Sequence, residues 1–301
     1  MSKRLSVLAI LVSLIWGQSG YSGLTSWYSP GSVALAGGGS MIPSTSSDQL
    51  NPAAIRELPR LFQVSLIRYP ADILGESVAL VYPFEKQTVM FSLKHLGYGE
   101  FEEYDKTGER LGDYVSGDTW LSGSIAVDMF GKVLIAGISG GFLISQLQAY
   151  QSVVTSFTGG LIYRIPTLGF ETGIALRHAG FVIKKFTDVQ EKLPLTAVAS
   201  FRKRLVYLPF EFELDVENRL LDGRTTIHLG GIFYLPHHFT FLLGTNTNKL
   251  DQATKVHYLD DFFGSSGAGL MFDNKEYRFG LSTYFFTAGG WVVGLGMGVY
   301  F

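Results

Sequence analysis

Four carboxylates recur at every second position in the segment Glu211, Glu213, Asp215 and Glu217. In an extended chain, alternate side chains share one face and sit about 7 Å apart, so these acids form a ladder. Such a ladder can hold a cation, act on a substrate, or pair with bases across an enclosed space. Arg164, Arg177, Arg202, Arg278 and His228 have the parity to face the same side. That makes an internal polar network the favoured reading, with a cation or substrate site as the other. His237 and His238 are adjacent in an expected turn, without the spacing of two metal ligands on one face. Gly37-Gly38-Gly39-Ser40 lacks both the lysine and the strand-to-helix setting of a phosphate loop. The six histidines assemble into no nucleophile–base pair. No catalytic residue, metal or cofactor is assigned, and an enzyme is not expected.

The composition frames these residues. The chain has 301 residues, with 17% charged and 47% hydrophobic, and contains 36 glycines, 15 tyrosines and 23 phenylalanines. Past the N-terminus no apolar run approaches the roughly 18–20 residues of a membrane helix. The mixture suits many short strands and tight turns. A net charge of −2 offers nothing to nucleic acid, and the absence of cysteine excludes disulfides and thiolate metal sites. Lys3 and Arg4 precede an apolar stretch from Leu5 to Trp16, and small residues follow at Gly17 and Ser19. This is the layout of a secretory signal over residues 1–19, cleaved between 19 and 22.

The elements that must position the acids show best at the end of the chain. Trp291, Val293, Leu295, Met297, Val299 and Phe301 alternate with Val292, Gly294, Gly296, Gly298 and Tyr300. One face is wholly apolar and the other mostly glycine, with aromatics at both ends, as in a strand that crosses a bilayer between two aromatic girdles. Val206, Leu208, Phe210, Phe212, Leu214 and Val216 repeat the pattern opposite the four acids. Fourteen such segments lie near 61–69, 75–83, 86–97, 118–130, 133–148, 153–166, 169–180, 194–203, 206–218, 224–235, 238–246, 264–273, 276–287 and 290–301, the fifth being the least clearly patterned.

The sequence therefore predicts an all-β fold, a transmembrane antiparallel barrel over 61–301 in the outer membrane of a Gram-negative-type bacterium, surrounded by its lipid. Counting back from a periplasmic C-terminus, short turns fall at Asp273–Glu276, Pro236–His238, Arg202–Arg204, Pro166–Leu168, Phe130–Lys132 and Phe84–Glu85. Longer outer loops fall at 98–117, 181–193 and 247–263. Residues 20–60, rich in glycine, serine and proline, lack the alternation and read as a luminal hatch. Loop 98–117 carries Tyr98, Glu100, Phe101, Glu102, Glu103, Tyr104 and Asp105, aromatics set among acids as in protein-contact surfaces.

Ala34-Leu35-Ala36-Gly37-Gly38, Asp48 and Asn51-Pro52-Ala53, placed just before the first strand, resemble the N-terminal signature of FadL-like outer-membrane proteins. Within that superfamily the chain is most similar to the PorV/PorQ family of the type IX secretion system. Tyr98 to Asp105 followed by Thr107-Gly108 resembles an early outer loop of its PorQ branch. The Ser44 to Ser47 cluster departs from the family pattern. The resemblance implies a hatch-plugged barrel of fourteen strands that docks proteins in a secretion or surface-attachment complex. Asp48, Asn51, Pro52 and Ala53 then belong to the hatch, and Tyr98 to Asp105 to a partner-contact loop. The other expectation is a FadL-like, hatch-gated conduit for a hydrophobic small molecule.

Overall fold

In the computed structural model, residues 21–301 are described apart from 106, 132, 166, 168, 188–190, 253–262 and 287–289. The expected signal segment lies outside them, as does most of loop 247–263. Fourteen strands close into one antiparallel barrel. They are β1 (Leu61–Arg68), β2 (Leu74–Pro83), β3 (Gln87–Tyr104), β4 (Arg110–Met129), β5 (Leu134–Leu147), β6 (Tyr150–Ile165) and β7 (Phe170–Lys184). β8 (Thr196–Arg204), β9 (Phe210–Arg219), β10 (Thr225–Tyr234), β11 (Phe239–Asn246), β12 (Ser266–Asp273), β13 (Tyr277–Phe285) and β14 (Trp291–Tyr300) complete the wall. Each strand pairs with its chain neighbours, and β14 seals the barrel against β1 from Leu61↔Tyr300 to Arg68↔Val293.

The alternation read from the sequence is the alternation of the wall. In β14, Trp291, Val293, Leu295 and Met297 are exposed on the outside while Val292, Gly294 and Gly298 are buried within. In β9, Leu214 and Val216 face out and Glu211, Glu213 and Asp215 face in. An apolar exterior around a polar interior inverts the water-soluble arrangement and marks a transmembrane barrel. Aromatic rings line the periplasmic rim: Phe170, Phe201 and Phe212 pack in sequence with tilted rings at 4.3 and 5.7 Å, as do Phe210 and Phe233 at 4.4 Å. Near the opposite rim, Phe285 meets Trp291 at 5.0 Å. These girdles place the molecule in the outer membrane.

Two expectations change, and the least clearly patterned strand is present as expected. Segment 98–117 is not an open loop, because β3 and β4 run on as a two-stranded ribbon paired from Glu100↔Val115 to Tyr104↔Arg110. Arg202–Arg204 is the end of β8 rather than a turn. The reversal occupies 205–209, where Tyr207 is 96% exposed and Pro209 escapes the ladder it would interrupt. β5, with the least separated faces, is a regular strand from Leu134 to Leu147, and its pattern was hidden because the inward positions 137 and 141 are glycine.

Residues 21–60 thread the interior as short helices. They are α1 (Ser22–Thr25), α2 (Pro30–Ala34), α3 (Ser47–Leu50) and a 3-10 helix at Pro52–Glu57. The first of these lies toward the extracellular rim, where Tyr21 bonds Ser152, and the last at the periplasmic rim, where Arg56 bonds the Glu85 carbonyl. Inward glycines make room for this chain. A side-chain carbon at Gly137 would collide with the Ala53 amide, at Gly244 with the Leu35 backbone, and at Gly267 with the Val33 carbonyl. Gly244→Val should destabilise the barrel by about 1–3 kcal/mol through overpacking, while Gly159→Ala, which meets open space, should be near neutral. The temperature at which the unboiled protein loses its compact gel mobility reads both.

Candidate functional site: a hatch latched to the barrel wall

A chain segment brought inside a barrel must find hydrogen-bond partners for its own backbone. The wall supplies them with charged side chains at three levels. Nearest the periplasm, Asn51 caps the 3-10 helix by accepting from the Ala53 amide at 3.1 Å. Its own amide nitrogen donates to the Leu161 carbonyl of β6 at 3.4 Å. Pro52 fills the first helical position, where no amide donor is needed. Ala53 packs flat against Gly137. The Asn-Pro-Ala triplet thus has a steric and a hydrogen-bonding reason for each residue. Arg56 pairs with Asp128 of β4 at 2.7 Å. Glu57 meets Arg164 and lies 3.6 Å from Arg202, and both arginines also reach Glu171, at 3.0 and 2.7 Å.

At mid-height, Asp48 is fully buried and pairs with Lys94 of β3 at 2.5 Å. Ser92 and Ser122 donate to its second oxygen at 2.8 and 2.9 Å, and Lys94 also reaches the Gln49 side-chain oxygen at 2.9 Å. The acid ladder of β9 grips the glycine turn of the hatch. Asp215 accepts from the Gly39 and Ser40 amides at 2.9 and 3.3 Å, and Glu213 from the Met41 amide at 2.7 Å. Gly37 and Gly39 adopt φ of 83° and 88°, the left-handed region glycine tolerates best. Those values turn successive amides toward the wall as an anion-binding concavity.

Arg177 donates to the Leu50 carbonyl at 2.8 Å, to Ser40 at 2.6 Å and to Glu217 at 3.0 Å. Arg202 donates to the Met41 carbonyl at 2.6 Å. His228 Nδ1 lies 3.0 Å from the Ala36 carbonyl, which only accepts, so that nitrogen carries the proton. Toward the extracellular end, Asp118 of β4 accepts from the Gly23 amide and from Tyr98, both at 2.7 Å.

The sequence-derived residues are therefore brought together unevenly. Glu213, Asp215, Glu217, Arg177 and Arg202 converge on residues 39–50 of the hatch, directly or through one another. Glu211 instead lies 3.5 Å from Arg204, Arg164 belongs to the periplasmic cluster, and Arg278 pairs with Asp273 at 2.9 Å, apart from the ladder. Tyr98 points into the barrel through Asp118 and does not share the exposed setting of Phe101 and Tyr104. His237 and His238 occupy the turn before β11.

Sequence reasoning passed over Lys94, a lone charge on the inward face within the membrane-spanning part of β3, and Asp118, which shares the inward face of β4 with Asp128. It also missed His178. A bulge in β7 sets Arg177 and His178 both inward, with His178 at φ 59°, and reverses the strand parity beyond.

Two cavities lie against the hatch. The extracellular one, about 360 Å³, is lined by Leu24, Trp27, Tyr284 and Phe286 together with Arg177, Glu217 and His228. The periplasmic one, about 300 Å³, is lined by Leu35, Ile42, Leu58, Leu242 and Met271 together with Glu57, Asp273 and Arg278. Ser32 and Leu50 of the hatch line both. Fold and interior together define a hatch-bearing outer-membrane β-barrel.

No protein-family model matches the chain, and no curated protein matches it. Among solved structures it is similar to the deltaS2 mutant of the TodX monoaromatic hydrocarbon channel. That match has a TM-score of 0.60 and 11% identity over 90% of this chain and 96% of that one. The deltaS2S3 mutant of TodX matches at a TM-score of 0.61 and 12% identity over 90% and 97%. At these identities the likeness is one of fold.

Lys94→Met should cost about 3–5 kcal/mol by leaving Asp48 charged, buried and unpaired. Adding Asp48→Asn should restore a large part of that loss. Urea unfolding of the folded barrel checks both, and a single variant as stable as the parent would refute the latch.

Proposed function

We propose that this protein is a passive conduit for a small hydrophobic molecule across the outer membrane, with residues 21–60 as its gate. One observation carries the reading: cavities of about 360 and 300 Å³ face opposite rims and share Ser32 and Leu50 of the hatch as lining. A shift of that segment would join them. Both volumes fall at the small end of ligand sites, and Leu35, Ile42, Leu242 and Met271 give the periplasmic one an apolar side suited to an uncharged or weakly polar guest, opposite Asp273 and Arg278. The TodX mutants that share the fold are described as monoaromatic hydrocarbon channels, which supports a guest of similar size.

A second reading, docking in a secretion or attachment complex of the PorV/PorQ type, is favoured by a different feature. The ribbon of β3 and β4 projects beyond its neighbours and exposes Phe101, Tyr104, Leu111 and Val115. Co-purification from detergent-solubilised membranes, comparing the full chain with one shortened across 99–115, tests it. Loss of the same partner on shortening is the expected result.

For transport, cells carrying the chain should take up a labelled monoaromatic hydrocarbon several-fold faster than cells lacking it. Thr226→Trp at the extracellular cavity and Thr240→Trp at the periplasmic one should each abolish most of that gain while the barrel stays heat-modifiable. Equal uptake with and without the chain would sink the conduit.

A further inference from the structure

β2 accompanies β3 only as far as Gly97, opposite Leu74. Beyond it a register break between Gly97 and Glu100 sets off the ribbon, and β3 then pairs with β4 alone through Tyr104. Among the described residues, no strand lies along the outer edge of Glu100–Tyr104. Among the described residues, the opposite edge, along β4 from Arg110 to Val115, also lacks a strand, since β5 joins β4 only from Ser116, opposite Leu147. Glu103 faces Gly112 across the ribbon, and its carboxylate bonds Gln148 at 2.5 Å, bridging to the turn between β5 and β6. Of the two open edges the one on β3 carries three acids and no base, whereas the β4 edge carries Arg110 beside Asp113.

An unpaired row of amides and carbonyls is a template for another strand. Here the edge is also strongly acidic, with Glu100, Glu102 and Glu103 on β3 and Asp113 opposite. Arg110 is engaged by Asp113 at 2.5 Å and lies 3.6 Å from Glu102, so one base stands against four acids. At the foot of the ribbon a groove of about 530 Å³ adds Glu76, beside His95 and Gly99, and Asp72, which pairs with Arg68 at 3.0 Å. A second copy of this edge would place carboxylates against carboxylates and be repelled. A cationic strand would meet them favourably.

From this we propose that the β3 edge from Glu100 to Tyr104 takes an extended lysine- or arginine-rich segment of a protein partner as an added strand. Main-chain hydrogen bonds supply the register, the three glutamates select the charge, and exposed Phe101 and Tyr104 supply apolar contact. The inference rests on the docking reading and is independent of transport.

The test uses the full chain in detergent micelles and a fluorescent peptide of alternating lysine and valine. Saturable binding is expected, weakened about tenfold by the triple substitution Glu100→Gln, Glu102→Gln and Glu103→Gln. A peptide N-methylated at every residue keeps its charge but lacks amide donors along both edges, and it should bind about tenfold more weakly. Equal binding of the methylated peptide would overturn strand addition while leaving docking intact if a partner still co-purifies with the unshortened ribbon. Peptide binding that the triple substitution leaves unchanged, or no saturable binding at all, would overturn the acidic edge as the site. Unaltered heat-modifiability of the triple variant confirms that its barrel is folded.

Discussion

The structure depends on one constraint, that a polypeptide held inside a membrane barrel has little water to satisfy its backbone. The hatch answers it with few long-range backbone ladders of its own, since its helices are only a turn or so long. Its amides and carbonyls are instead met by the wall. Asp215 and Glu213 take amides at residues 39–41, Asp118 takes Gly23, and Arg177 and Arg202 cover the carbonyls of Leu50 and Met41. The lumen is charged because the hatch is irregular.

This changes what the acid ladder means. Read along the chain, four carboxylates on one strand face suggest partners among the luminal bases, and Glu217 with Arg177 fits that picture. The two most buried acids of the ladder, Glu213 and Asp215, are turned chiefly toward backbone amides. A glycine-rich turn without a lysine is still an anion receptor, and here the anion is part of the same protein. The Asp48–Lys94 pair follows the same logic with a side chain on each side. Buried as they are, neither charge could lose its partner without being left uncompensated inside the barrel.

The fold was legible because a two-residue period survives any register: β9 and β14 announce both faces from residue types alone. It was least legible where the inner face is glycine, as in β5, since glycine marks neither side. The ribbon was missed for a related reason. Its acids and its glycines at 99, 108 and 112 read as loop, and nothing in residue type signals that a strand will outrun the membrane. The site was legible only in part. Glu213, Asp215 and Arg177 advertise a wet inner face, but the backbone groups they bond lie 172, 176 and 127 residues away in the chain, and backbone leaves no mark in a sequence. Lys94, alone among serines and apolar residues on the inner face of β3, carried a signal that only its isolation gave away.

The seam of the barrel has a consequence for assembly. Gly294 and Gly296 of β14 lie against Pro30 of the hatch, and Ile67 of β1 packs with Val33 and Ala36. The first and last strands therefore share a surface with a segment that precedes both. Zipping β14 onto β1 then reports on threading: a hatch left outside, or lodged in another register, removes the template against which the two ends meet. Closure becomes a proofreading step, in which the last strand to pair inspects the first segment of the described chain.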